Sequence, residues 1–188
     1  MSIMRRLLIL SCTWLLSGLA AAEGVNDQIG SGDLNADQHE STGPNGLPVV
    51  DSVLVRKGER RMYLMRRGEI VRTYHVALGL MPEGSKEHAG DFRTPEGTYR
   101  LTRRNPHSDY FLSIQVSYPN DSDLHRARAN HWNPGGSIMI HGLPTNLKHP
   151  VDYYQHQDWT DGCIALSNSD MVEFWLITQD NIPINIEP

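Results

Sequence analysis

Short apolar runs with the spacing of β-strands begin at residue 49 and follow one another closely. Glycine-containing polar breaks, Lys57-Gly58-Glu59 and Arg67-Gly68, separate the first three of them. These runs are rich in Val, Ile, Leu and Tyr and read VVDSVLVRK (49–57), RRMYLMRRG (60–68) and EIVRTYHVALG (69–79). Because short polar breaks between such runs are typical of hairpins, the pattern predicts an antiparallel meander.

Three later runs also favour strands: EGTYRLTRR (96–104), FLSIQVSYP (111–119) and the strongly apolar GSIMIHG (136–142). Long polar segments, residues 80–94 and 120–136, are interpreted as loops between the strands. Loops of this length in a compact domain are more often functional than idle, so we expect a functional role for them.

One helix is predicted near the end of the chain, in SNSDMVEFWLITQ (167–179). Ser167 and Asp170 have the spacing of a capping pair at its start. Met171, Phe174 and Trp175 follow at helical spacing, and we expect them in the core rather than at a ligand. With one or two helices, many strands and no internal repeat, the predicted fold class is mostly β.

Residues 1–22 have the features of a secretory signal peptide: a basic start with Arg5 and Arg6, an apolar run and three closing alanines. We expect cleavage near Ala22 and export of the mature chain. The apolar run is shorter than the roughly 20 residues that cross a bilayer, so no integral membrane span is expected after cleavage. Lipidation at Cys12 is the weaker alternative, because the apolar stretch before it is short.

Residues 23–48 hold five acids, no Lys or Arg, and no apolar period. They are therefore predicted to form a flexible acidic linker, which leaves residues 49–188 as one domain. The chain has a formal charge of -5, and removal of the two leader arginines makes it more negative. This balance argues against nucleic acid as a partner.

After cleavage Cys163 would be without a cysteine partner, and an unpaired thiol in an exported protein is a liability unless it is buried or catalytic. His141 ends the apolar run GSIMIHG and is suited to accept the thiol proton. The Gly142 carbonyl could orient the imidazole, and the N–H groups of Gly162 and Cys163 could bind an oxyanion. The alternative is a buried, inert Cys163 beside a histidine in a loop.

At these residues the chain resembles a family. IMIHG followed by TDGCIALSN is similar to the signature of L,D-transpeptidase (YkuD-type) domains, in which His-Gly precedes Ser/Thr-x-Gly-Cys. RMYLMRRGEIVRTYHVALG resembles the opening hairpin of that family, and GDFRTPEGTYRLTRR carries its Thr-Pro-x-Gly element. The resemblance covers most of residues 50–187, and three ordered elements make it specific.

The resemblance implies an L,D-transpeptidase-like β-sandwich or barrel without a metal or organic cofactor. It also implies an enzyme that takes the acyl group of an L-centre from a peptidoglycan stem peptide and passes it to an amine or to water. The implied catalytic residues are Cys163 as nucleophile, His141 as base, Gly142 as the orienting carbonyl and Gly162 before the nucleophile. Expected partners are stem peptides and, as a second candidate, a wall-anchored protein.

Two positions depart from the common family form, which has His at Asp161 and Arg at Ala165. Arg93 is the first candidate to replace the missing guanidinium at the substrate, ahead of Arg100 and Arg103. A negative Asp161 would favour imidazolium if it lies near His141 but would oppose the thiolate if it lies near Cys163. Other residues expected at the substrate are Thr160, Trp159, Tyr110 and Trp132, whereas Tyr153 and Tyr154 are left open.

The segment PTNLKHPVDYYQHQDW (144–159) is longer than the family usually shows and could shape the acceptor side. Asp-Gly-Cys-Ile-Ala places the chain in a variant subgroup, so a hydrolase is an alternative, either an L,D-carboxypeptidase or an amidase that releases a wall-linked protein. A silent peptidoglycan-binding module is a further alternative. A zinc peptidase is disfavoured because HExxH is absent, although its ligands could come from His125, His131, His141, His149, His156, Asp158 and Asp161.

Overall fold

The computed structural model describes residue 46 and residues 48–188. The predicted signal peptide, residues 1–22, lies outside the described residues. The predicted acidic linker, residues 23–48, also lies outside them except for Gly46 and Pro48. Within the described part of the chain, no helix is both long enough and apolar enough to cross a membrane.

The first three strands form the predicted meander: β1 (Ser52–Arg56), β2 (Arg61–Arg66) and β3 (Glu69–His75) pair antiparallel in chain order. Alternate side chains enter the core, as the buried Val53 and Val55 show in β1 and the buried Met62 and Leu64 show in β2. Alternation with a period of two sends every second residue to one face of a strand, which is why this pattern was readable in the sequence.

Five further strands complete one eight-stranded sheet in the order β3-β2-β1-β8-β4-β5-β6-β7. Their bounds are β4 (Gly97–Ser108), β5 (Phe111–Val116), β6 (Met139–His141), β7 (Ile164–Ala165) and β8 (Pro183–Glu187). The sequence did not predict β8, which lies between β1 and β4, parallel to the first and antiparallel to the second. Its alternating Ile184 and Ile186 are buried in the core.

The two outer strands of the sheet meet and close it into a barrel. Ala77, just after β3, donates its N–H to the carbonyl oxygen of Ala165 at 3.0 Å and accepts from the Ala165 N–H at 2.8 Å. Ala165 belongs to β7, and this pairing is antiparallel. Because closure leaves fewer backbone groups unpaired at the sheet edges, it fixes β7 and the residues before it firmly.

The described residues include three helices rather than one or two: α1 (Asp121–Ala129), α2 (Val151–His156) and α3 (Asn168–Ile177). Helix α3 begins as predicted, since the Ser167 hydroxyl accepts the Asp170 N–H. The interpretation of residues 120–136 as loop was wrong, because α1 begins there with a reciprocal capping box between Asn120 and Asp123. Only Asp123 and Ala127 of α1 are buried, so it has no apolar stripe that could reveal it.

Two buried lysines anchor the segment 80–94 that follows the meander. Lys57 Nζ donates to the carbonyl oxygens of Gly84 (2.6 Å) and Thr94 (3.1 Å) and lies 2.7 Å from Glu96 Oε1. Lys86 Nζ lies 2.6 Å from Asp91 Oδ1. Lys57 therefore ties two parts of the segment to the barrel, while Lys86 braces the segment from within.

Candidate active site

The turn before β7 presents Cys163 and is built around the Thr160 hydroxyl. Thr160 Oγ1 donates to the carbonyl oxygen of Cys163 at 2.7 Å and accepts the Gly162 N–H at 3.1 Å. Thr160 is buried, and both hydrogen-bonding capacities of its hydroxyl are used within the turn. Thr160 therefore shapes the turn that carries Cys163. It also lines the cavity that holds Cys163, and the substrate contact expected from the sequence stays a prediction.

Two features of this turn, its backbone conformation and its close packing, require a glycine at position 162. Its φ is +122°, a conformation that side chains rarely adopt, and a Cβ there would lie 2.5 Å from the carbonyl oxygen of Arg93. The oxyanion role expected for its N–H is not available in this structure, since that N–H already donates to Thr160. The Cys163 N–H is thus the remaining donor of the predicted pair.

His141 ends β6, which runs parallel to β7 and places the histidine beside the residues that follow the cysteine. The register pairs Ile140 with Ile164 and His141 with Ala165. His141 is buried, and its Nδ1 lies 2.7 Å from the carbonyl oxygen of Gly142. Because a carbonyl only accepts, Nδ1 must carry the proton, which leaves Nε2 as the basic nitrogen of the neutral ring.

The Cys163 thiol lies in the same cavity as His141. The N–H of Met139 donates to Sγ at 3.4 Å, and the thiol donates to the carbonyl oxygen of Ser137 at 3.7 Å. Neither of these hydrogen bonds involves the imidazole. The proton of the resting thiol must therefore leave the Ser137 carbonyl before it can reach His141.

Burial favours the neutral form of both groups. It lowers the pKa of His141 to about 4, and the hydrogen bond to the Gly142 carbonyl opposes this shift. Burial also raises the pKa of Cys163, while the Met139 N–H works in the opposite direction by stabilising the thiolate. A buried site with few compensating charges thus holds a thiol and a neutral imidazole near neutral pH, and not an ion pair.

The sequence left open whether the charge of Asp161 would act on His141 or on Cys163, and in the structure it acts on Cys163. Its carboxylate, exposed and lining the cavity, adds to the rise in the pKa of Cys163. The lowered pKa of His141 is accounted for by burial and by the opposing hydrogen bond to the Gly142 carbonyl, without Asp161. Asp161 therefore opposes formation of the thiolate.

Aromatic side chains form one wall of the cavity, which has a volume of about 780 Å³. The Tyr110 ring centroid lies 4.6 Å from that of His141 and 6.0 Å from that of Trp159, with the Tyr110 and Trp159 rings stacked. Trp159 Nε1 donates to the carbonyl oxygen of Tyr154 at 3.2 Å, which ties the wall to α2. Tyr110 and Trp159 thus line the cavity together with Tyr153 and Tyr154, and their contact with substrate stays a prediction.

Two expected substrate residues do not line the cavity. The Trp132 ring packs edge-on to His88, with centroids 6.1 Å apart. The Arg93 guanidinium pairs with Glu87 at 3.3 Å. Although the Arg93 backbone packs against Gly162, its side chain is directed elsewhere, so the structure does not support Arg93 as the replacement for the missing family arginine.

Lysines supply the positive charge of the cavity lining. Lys86 and Lys148 both line it, and the field of Lys86 lowers the pKa of Cys163. Both were missed from the sequence, because each lies in a polar segment where no pattern distinguishes a solvated lysine from one facing a site. The backbone contacts of the thiol at Ser137 and Met139 were likewise missed, since they depend on the packing of β6 against β7.

The residues considered as zinc ligands are engaged separately. Asp158 forms a bidentate pair with Arg60, the shorter contact being 2.8 Å, while His156 pairs with Asp152 at 3.3 Å. His149 packs against Tyr153, with ring centroids 4.3 Å apart. Among the residues that the structure describes, no three His, Cys, Asp or Glu side chains form a group that could hold a metal ion.

Comparison with known protein families gives one match across most of the described chain. The family model of the L,D-transpeptidase catalytic domain, YkuD, matches residues 51–186. Among curated proteins, YafK of Escherichia coli K12, a candidate L,D-transpeptidase, is 31% identical over 156 residues, which cover 76% of this chain and 55% of YafK.

Solved structures show the same relationship. Pgp2 of Campylobacter jejuni, a helical cell shape determining protein, is 30% identical with a TM-score of 0.55, covering 73% of this chain and 47% of Pgp2. Bd1075 of Bdellovibrio bacteriovorus is 26% identical with a TM-score of 0.53, covering 73% and 48% of the two chains. An L,D-transpeptidase from Mycobacterium smegmatis, at 15% identity, TM-score 0.50 and coverage of 73% and 58%, shares the fold. The chain thus spans about half the length of the relatives it matches.

Proposed function

The chain belongs to the YkuD family of L,D-transpeptidase catalytic domains, and on that basis we propose that it is a cysteine acyltransferase acting on peptidoglycan stem peptides. One observation supports this proposal above all others. A single cavity is lined by the Cys163 thiol and by a histidine whose Nδ1 is bound to a carbonyl, so that Nε2 is left to accept a proton. A nucleophile and an oriented base in one cleft are the requirements of acyl transfer.

In the proposed first step, Cys163 Sγ attacks the carbonyl carbon of an L-centre that is bonded to a D-residue. His141 Nε2 takes the thiol proton, and the Cys163 N–H stabilises the oxyanion. The C–N bond then breaks, and His141 returns the proton to the departing amine. The products of this step are a thioester on Cys163 and a free D-residue.

The second step decides the class of reaction. Attack by an amine on the thioester forms a crosslink or attaches a protein, whereas attack by water releases a shortened peptide. In both cases His141 takes a proton from the attacking group and returns it to the sulfur. We propose transpeptidation as the first candidate and hydrolysis, by an L,D-carboxypeptidase or an amidase, as the alternative.

One exposed lysine in the cavity lining suits an acidic substrate. Lys148 of this lining is exposed, whereas the Lys86 ammonium is buried 2.6 Å from Asp91 and Asp161 adds a negative charge. Stem peptides carry free carboxylates, which lysine ammonium groups attract in a partly dry cleft. We propose that Lys148, exposed in the cavity lining, takes the role expected of Arg93, because the Lys86 ammonium is already bound to Asp91. We further propose that the protein works in the periplasm or at the cell wall, a location that the signal-peptide pattern and the proposed substrate both support.

The acyl-enzyme is tested by intact-protein mass spectrometry after incubation with purified tetrapeptide, pentapeptide and protein-linked muropeptides. We expect wild type to gain the mass of the donor minus the amine that leaves it, which is a D-residue for the tetrapeptide, a D-dipeptide for the pentapeptide and the linked protein for the third donor. New soluble products should appear with the adduct. Cys163→Ser should show neither change. His141→Gln keeps the thiol and should acylate about 10²–10⁴-fold more slowly, which is the usual contribution of a positioned base.

The product identifies the acceptor, since a crosslinked dimer means an amine and a shortened monomer means water. Asn130→Ala, at the end of α1, is the matched control and should behave as wild type because it lies outside the cavity lining. Full turnover by Cys163→Ser would contradict the mechanism. Absence of an adduct and of any product with all three donors would instead favour a binding module.

Pgp2 is described as a determinant of helical cell shape, so cell shape after deletion is a second readout.

A further inference from the structure

The peptide unit between Gly142 and Leu143 is bound on both of its sides. On one side the Gly142 carbonyl oxygen accepts from His141 Nδ1 at 2.7 Å. On the other side the Leu143 N–H donates to Asn168 Oδ1 at 2.8 Å. Because a peptide unit is planar, its C=O and N–H directions are fixed together, so a partner of one sets the orientation of the other.

We propose that Asn168 is a positioning residue that holds the catalytic histidine through this peptide, in the chain of contacts Asn168, Leu143 N–H, Gly142 C=O and His141 Nδ1–H. The inference rests on the proposed function and deepens it. Asn168 does not touch the reacting atoms. It fixes the carbonyl that selects the imidazole tautomer, and hence the nitrogen that faces the thiol.

Close packing around Gly142 supports a dedicated contact. A Cβ at Gly142 would lie 2.6 Å from Asn168 Oδ1 and 3.1 Å from Phe111 Cβ, so a glycine is needed for the amide to approach. The Gly142 N–H is held by the carbonyl oxygens of Tyr110 and Leu112, each at 3.1 Å. With its N–H side fixed by β5 and its C=O side by Asn168, residue 142 has little freedom to rotate.

Helix capping does not account for the Asn168 side chain. Ser167 is the N-cap of α3, and its hydroxyl accepts the Asp170 N–H. Asn168 is exposed, whereas the Gly142 and Leu143 residues that it approaches are buried. An exposed side chain whose carbonyl oxygen reaches a buried peptide can be replaced without opening a cavity in the core.

Asn168 also connects the two halves of the site. It follows Cys163 by five residues, through β7 and the N-cap Ser167, and the Leu166 N–H donates to the His141 carbonyl oxygen at 2.9 Å. The segment that carries the nucleophile at one end therefore holds the base at the other. Hydrogen bonds in series polarise one another, so an acceptor on the Leu143 N–H also strengthens the Gly142 carbonyl as an acceptor for the imidazolium that forms during attack.

The test compares Asn168→Ala, which removes the acceptor, with Asn168→Asp, which keeps its position and adds negative charge. Ser169→Ala is the matched control, since it changes the same helical turn without touching the Leu143 peptide. The readouts are the His141 tautomer, from nitrogen-15 NMR at pH 7, and the acid limb of kcat/KM with muropeptide. The NMR readout needs no substrate, so it still decides the inference if muropeptide turnover fails and the proposed function falls.

For Asn168→Ala we expect a larger Nε2–H tautomer fraction, an acid limb at lower pH, and a loss of kcat of about tenfold, part of the contribution of an oriented base. For Asn168→Asp we expect the wild-type tautomer and an acid limb at higher pH, because the added charge favours imidazolium. Ser169→Ala should match wild type. Unchanged tautomer and pH profile in both Asn168 variants would overturn the inference, as would an equal effect of Ser169→Ala. If Asn168→Ala does not fold, the pH shift of Asn168→Asp alone decides.

Discussion

Burial of one imidazole sets the working pH of the proposed reaction. His141 is deeply buried, so its pKa falls to about 4 from an ordinary value of 6.5, although its Nδ1 is bound to the Gly142 carbonyl. A base must be neutral to accept a proton. At pH 6, where an ordinary histidine would be mostly charged, His141 therefore stays neutral and able to accept a proton.

We predict that kcat/KM for a muropeptide stays level from about pH 7.5 down to about pH 5.5 and falls only as the pH approaches 4. The sign follows from the lowered pKa of His141, because the neutral ring is present above that pKa and is lost below it. Initial rates across this range test the prediction, with tryptophan fluorescence confirming that the protein is folded at each pH. An acid limb centred near 6.5 would show that burial does not control this histidine.

The turn that carries the nucleophile depends on a backbone shape and not only on its side chains. Gly162 adopts a φ of +122° and packs against the carbonyl oxygen of Arg93, while Thr160 closes the turn with two hydrogen bonds. The family motif was visible in the sequence, but the partner of its glycine was not. That partner comes from the segment 80–94, far away in the chain.

We predict that Gly162→Ala loses about 1–3 kcal/mol of the free energy of unfolding, the usual cost of a strained backbone conformation, together with most of its activity. Urea unfolding and the acylation assay measure the two effects. Gly136→Ala is the control, because a Cβ at Gly136 would meet no atom within 4 Å and its φ is not in the left-handed region. Equal stability of the two variants would mean that the turn relaxes without strain.

Lys57 joins the closed barrel to the segment 80–94, and no sequence pattern distinguishes it from an exposed lysine. Lys57 is 2% exposed, and its ammonium binds Gly84, Thr94 and Glu96. It therefore connects the end of β1 to Gly84 within, and Thr94 at the end of, the segment 80–94 that packs over the Cys163 turn. The fold and the geometry of the site are coupled through this contact.

We predict that Lys57→Met destabilises the protein by about 3 kcal/mol, the low end for breaking a buried ion pair, because Glu96 keeps some contact with solvent. Thermal and urea unfolding measure the loss. Lys148→Met removes an exposed lysine and should change stability by no more than about 0.5 kcal/mol. If both variants unfold alike, the segment 80–94 does not depend on Lys57.

The sequence by itself determined the meander and the capped α3, and it marked Cys163 and His141 as the candidate nucleophile and base. It could do so because strand alternation, capping residues and short motifs are all local features. It did not predict α1, which lacks an apolar stripe, or β8, which pairs between strands distant in the chain. Only the tertiary structure decided that the Arg93 guanidinium pairs with Glu87, that the Gly162 N–H is already used, and that Asn168 reaches the Leu143 peptide. The physical reason is that a periodic pattern records which face of an element is buried, whereas the partner of each polar group depends on which elements the barrel brings together.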